Sequence, residues 1–160
     1  MTPAAVDTAL QRAHKTVDDR LPSRSQQITL RALGDERLRE IVDRFVDAWE
    51  RANVGSVVSM LAHDATIAMP PRPTRYQGRD AIAIFLRDVV LAAGTPWRLP
   101  PVSANEQVAL GEYRWNETTK RFVTEAVSVL MIADVLIGEI TALCIPDRFA
   151  SFGLPDQQEP

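Results

Sequence analysis

The sequence predicts an α+β fold: a cone-shaped, curved antiparallel sheet packed against three helices, with an extra helix at the N-terminus. Two observations carry that prediction. Apolar residues recur at helical spacing over 35–53 and 80–92, and after Gly94 the chain changes to strand-like runs separated by short polar turns. Strands joined so closely must pair antiparallel, because a parallel crossover needs about a dozen residues or more. A bent sheet wrapping a helix leaves a conical interior.

The elements follow in order. Thr2-Pro3 offers a cap and a proline at the first helical position, so a helix is expected over 2–20, with Val6, Leu10, Ala13 and Val17 as one narrow apolar stripe. Residues 21–34, rich in Pro, Ser and Gln, read as a linker with some helical content. Leu38, Ile41, Val42, Phe45, Val46 and Trp49 form the buried face of the helix at 35–53. A short helix capped by Ser56 should follow, ending at His63-Asp64. Short strands are expected at 65–69 and Arg75–Gln77, then a helix over 80–92 burying Ile82, Phe85, Leu86, Val89 and Val90. Four strands come next, at 97–103, 107–115, 121–132 and 136–145, and Pro146–Phe152 reads as a final helical turn. The globular domain is thus placed at 35–154 and residues 155–160 are expected to be a disordered tail.

Composition excludes several classes of function. With 160 residues and 46% hydrophobic content, the chain can bury one core and carry an appendage. A net charge of -3 lacks the electropositive footprint of a nucleic-acid binder. Cys144, alone and within an apolar run, permits no internal disulfide and reads as an inert thiol, which fits a reducing cytoplasm. Apolar runs stay short of the roughly 18 residues of a membrane span, and no signal-peptide core precedes the first helix. His14 and His63 lie far apart without partner cysteines, so neither a metal site nor a cofactor is expected.

Several strings resemble the SnoaL-like, nuclear transport factor 2-like cone family over 35–154. They are Asp64-Ala65-Thr66, Tyr76-Gln77-Gly78-Arg79-Asp80-Ala81-Ile82 and Gly138-Glu139-Ile140-Thr141-Ala142. Met69-Pro70-Pro71 together with Phe149-Ala150-Ser151-Phe152-Gly153-Leu154-Pro155 is similar to the version fused to extracytoplasmic-function (ECF) sigma factors. The string from Thr2 to Ala13 is similar to the recognition helix of sigma region four, so 1–20 resembles a remnant of that region. The resemblance implies a regulatory pocket domain, with the sigma core regions, RNA polymerase and, in the full-length protein only, promoter DNA as partners. It also implies that the chain is a piece of a longer protein. In the intact protein Arg12 and Lys15 would face DNA; without the preceding helices of the helix-turn-helix, this chain should not read DNA alone. One departure is Asp134-Val135, where the family usually has Asp-Gly; valine resists positive φ, so a longer or different turn is expected.

The candidate site residues are chosen by strand parity and by chemistry. Glu125 shares one face of its strand with Val123, Val127, Val129 and Met131. On the concave side its carboxylate would be desolvated and could serve as a general base or ligand anchor; near a strand end it would sit in water. His63-Asp64 reads either as an acid/base pair at the pocket mouth or as a turn-forming Asp. Asp147 resembles the position of the catalytic acid of SnoaL-family cyclases, and equally suits a helix N-terminus. Met69, Tyr76, Phe85, Trp97 and Tyr113, with Glu125, are the candidate pocket lining, although scattered aromatics are also ordinary core. Three functions follow: a sigma-factor regulatory domain with a small-molecule ligand, an enzyme of the polyketide cyclase or ketosteroid isomerase type, or a homodimerisation module using the outer sheet face.

Overall fold

A computed structural model describes residues 26–104 and 107–160. The helix expected over 2–20 lies outside these residues. The second half of the expected linker forms helix α1 (Gln26–Leu33), and α2 (Asp35–Glu50) buries Ile41, Phe45, Ala48 and Trp49. The short helix α3 (Val54–Ser59) is capped by Asn53 rather than Ser56: the Ser56 backbone N–H donates to Asn53 Oδ1 at 3.0 Å. Asn53→Ala should therefore cost about 1 kcal/mol in urea unfolding, while Ser56→Ala leaves this cap in place. The next helix, α4 (Arg79–Phe85), continues into one π-helical turn, Leu86–Val90, closed by Leu91 N–H on Leu86 O at 2.8 Å.

The strands are β1 (Leu61–Ala68), β2 (Arg75–Gln77), β3 (Trp97–Arg98), β4 (Pro101–Ala104), β5 (Gln107–Asn116), β6 (Arg121–Ala133), β7 (Leu136–Leu143) and β8 (Gln157–Gln158). They form one curled sheet in the order β2-β1-β7-β6-β5-β3, with β4 on β5 and β8 on β6. Consecutive long strands pair antiparallel as expected, while β1 runs parallel to β7, the intervening chain supplying the crossover. The strand expected over 97–103 is broken. Leu99 N–H turns aside to Glu50 Oε1 at 2.8 Å, and Pro100 has no N–H to give to the ladder. The β6–β7 turn is tight, with Ala133 opposite Leu136; only Asp134 takes positive φ, 56°, so valine is spared that strain.

Two apolar clusters lie on opposite faces of this sheet. The larger joins α2, α3 and α4 to residues such as Val108, Leu110, Leu130, Ile132 and Ile140. The smaller contains Tyr113, Phe122, Val127, Phe149 and Leu154 and is closed by the 3-10 segment Pro146–Phe152. Gly111 lets Leu154 lie on the strand: a Cβ there would sit 2.7 Å from Leu154 Cδ1. The end of the chain, expected to be disordered, is held. Beyond Val127 opposite Leu143, β6 has no further β7 partner, and β8 fills that edge with Phe122 opposite Gln158. Arg121 and Glu159 add an ion pair at 3.1 Å.

Candidate functional site

The site begins with the alternation of β5. Val108, Leu110 and Glu112 share one strand face, and the first two belong to the helix-facing cluster. Glu112 is thereby drawn beneath the helices, with only 6% of its surface exposed. Ser128 on β6, wholly buried, donates its hydroxyl to Glu112 Oε1 at 2.5 Å. Among the described residues Oε2 has no hydrogen-bond partner. Burial pushes the Glu112 carboxyl up to about 7; the nearby Glu125 charge adds to the rise and the Ser128 hydroxyl opposes it. A carboxyl so placed exists in both protonation states near neutral pH and can give or take a proton or hydrogen bond there.

A bulge decides where Glu125 goes. Glu112 pairs with Ala126 and Tyr113 with Thr124, so Glu125 is an extra residue in β6. Ala126 and Glu125, although adjacent, both line the helix side, while Val127 and Val129 pack in the cluster on the other face. The expected one-faced row from Val123 to Met131 is therefore split. Glu125 sits at the cavity rim with its side chain 40% exposed, and Arg114 Nη1 approaches its Oε1 at 3.4 Å. The carboxylate is thus half in water and half at the pocket mouth, between the two readings of the sequence.

The cavity above Glu112 measures about 320 Å³. Met69, Tyr76, Phe85 and Trp97 line it with Val89 and Val90, the latter two from the π-helical turn. Tyr76 and Phe85 stack with ring centroids 4.2 Å apart and planes at 17°. Arg72, Thr74, Arg114 and Cys144 add polar and ionisable groups to its wall. The Cys144 thiol is half-buried and its pKa is raised, chiefly by burial, so it stays a poor nucleophile.

Other candidates lie elsewhere. Tyr113 belongs to the opposite cluster, where its hydroxyl donates to Pro155 O at 2.7 Å; as the neighbour of Glu112 on β5 it faces the other side of the sheet by simple alternation. Asp64 is exposed within β1 rather than at a helix-strand junction, and Asp147 is exposed in the turn after β7; neither lines the cavity. Glu125 and Tyr76 share the pocket without a hydrogen bond between them. Arg12 and Lys15 lie outside the described residues. Among the described residues no group of three or more His, Cys, Asp or Glu side chains could hold a metal, and no helix is long and apolar enough to cross a membrane. Glu112 and Ser128 are the candidate site groups that sequence reasoning did not single out. The signal was present: Glu112 continues the every-second-residue row of Val108 and Leu110.

Comparison with known proteins places these features in context. Residues 42–140 match the family described as SnoaL-like domain. Over 154 residues, 95% of the chain, the sequence is 27% identical to the ECF RNA polymerase sigma factor SigG of Mycobacterium tuberculosis. The chain spans 40% of that protein's length. An NTF2-like protein of unknown function from Burkholderia xenovorans LB400 superposes with a TM-score of 0.56 at 15% identity, covering 69% of this chain and 84% of that one. A putative polyketide cyclase from Xanthomonas campestris pv. campestris gives 0.54 at 16%, over 73% and 96%. At such identities the likeness speaks for the fold alone.

Proposed function

We infer the function from one premise: the chain belongs to the SnoaL-like domain family. On that premise it is the pocket-bearing regulatory part of an ECF sigma factor, acting in the cytoplasm with RNA polymerase and, through the rest of the protein, with promoter DNA. The observation that carries this reading is the reach of the sigma-factor likeness. It extends over 154 residues, well beyond the 42–140 of the domain match, so it takes in flanking sequence as well as the cone. Residues 1–20 then read as the end of sigma region four, with Arg12 and Lys15 on its DNA side.

Regulation needs no catalysis. A pocket domain that contacts two arrangements of the sigma regions unequally shifts the balance between them, and a ligand in the cavity changes that inequality. The test is transcription by RNA polymerase carrying the longer sigma protein, either intact or lacking residues 35–154. Initiation should differ by about fivefold or more, the usual size of such couplings. Equal transcript yields from the two proteins would sink the regulatory reading.

One observation favours a second reading. A buried carboxyl with a pKa near 7, hydrogen-bonded to Ser128 beside an apolar cavity, is also suited to removing a proton next to a carbonyl, as polyketide cyclase or ketosteroid isomerase chemistry requires. That reading needs a second polar group close enough to hold the developing oxyanion. Tyr76, Thr74 and Arg114 are the cavity's candidates for it.

A further inference from the structure

The polar groups of the cavity are unevenly placed. Deep inside stands Glu112, one carboxyl oxygen taken by Ser128 and the other without a partner among the described residues. Glu125 closes the rim on the same side. The two cations lie outward: Arg114 is turned to Glu125 at 3.4 Å, and Arg72 is exposed on the loop after β1. The walls between are aromatic, the stacked Tyr76 and Phe85 on one part and Trp97 on another. A negative centre at the end of an aromatic slot attracts a cation, which gains from ring faces as well as from the carboxylate.

We propose that the cavity binds a small amphipathic amine in its protonated form, its ammonium on the free oxygen of Glu112 and its apolar body against Tyr76, Phe85 and Trp97. The proposal rests on the cavity being a ligand site and not on the sigma-factor reading. The volume of about 320 Å³ is at the lower end of the range for ligand pockets, which suits one ring with a short arm. A carboxylate ligand would meet Glu112 at the floor and could use only the outer Arg72 and Arg114. The raised pKa of Glu112 fits an acidic site with no cation yet beside it, since a bound ammonium would hold the carboxylate in its charged form. The other charged or titratable groups around it are Glu125 and Arg114 at the rim, Arg72 on the loop, Tyr76 on β2 and the Cys144 thiol beyond β7.

The test is calorimetric titration of the full chain with 2-phenylethylammonium, 2-phenylethanol and phenylacetate. The amine should bind, with both isosteres at least about tenfold weaker. Because Glu112 loses its proton near pH 7, the amine should bind about tenfold more tightly at pH 8 than at pH 6. Glu112→Gln should weaken binding at pH 8 by about tenfold and remove the pH dependence. Should that variant fail to fold, the wild-type pH comparison and Glu125→Gln, with a smaller loss, still decide. Tighter binding of phenylacetate or 2-phenylethanol, a flat pH response, or no amine binding up to about 10 mM would each overturn the proposal. None of these results bears on the transcription experiment, so the two readings fail separately.

Discussion

Raising the pH from about 5 to about 8 is expected to remove about 2.5 kcal/mol of stability through Glu112 alone, and Glu112→Gln to abolish that loss. The cause is the gap between an unfolded carboxyl at 4.5 and a folded one at about 7. Between those values the native protein keeps a proton that the unfolded chain gives up, so each rise in pH favours unfolding. The contribution is fully present below the unfolded value and gone once the pH has passed the folded one. Gln keeps the shape and can still accept the Ser128 hydroxyl through its amide oxygen, but carries no charge to desolvate. Urea unfolding of both proteins at the two pH values checks the prediction, and the difference between them cancels every other titrating group. Parallel pH profiles would mean that Glu112 is not held away from water.

Phe149→Ala should cost about 3–5 kcal/mol, the usual loss for a fully buried phenylalanine. Phe149 has no exposed surface, and its ring meets Tyr113 edge-on at 6.1 Å and 72°. It is the anchor by which Pro146–Phe152 covers the outer face of the sheet, and Leu154 and β8 follow from it. Its removal should therefore loosen the C-terminal residues first, seen as faster amide exchange at Leu154, whose N–H bonds Phe149 O. The cavity lies on the opposite face, so amine binding by the folded variant should change little. A loss below about 1 kcal/mol would mean that the outer cluster contributes little to the fold.

Much of the architecture was legible in the residues. The face of α2 was readable because six apolar residues at helical spacing leave one way to bury them. The strands β5, β6 and β7 stand within a few residues of their expected limits because polar turns bracket apolar runs. Local competition explains the misses. Asn53 and Ser56 are both good caps, and which one serves depends on where the chain leaves α2, a matter of packing. The break at Leu99-Pro100 needs Glu50 on α2 to receive the Leu99 N–H, a partner 49 residues away. The held C-terminus depends on a vacancy beside β6 that exists only once β7 has ended.

The site was half legible for a related reason. Met69, Tyr76, Phe85 and Trp97 meet in one cavity, whereas Tyr113 alternates to the face of β5 opposite Glu112, and Glu125 is the extra residue of a bulge that changes the facing of β6 on its two sides. No periodic rule anticipates a one-residue insertion that costs nothing in composition. The sequence by itself determined the helical faces, the antiparallel meander and the apolar row that carries Glu112, because these depend on spacing along the chain. Only the tertiary structure decided which carboxylate is buried and which stands at the rim, because desolvation is set by what packs across the sheet and not by neighbours in sequence.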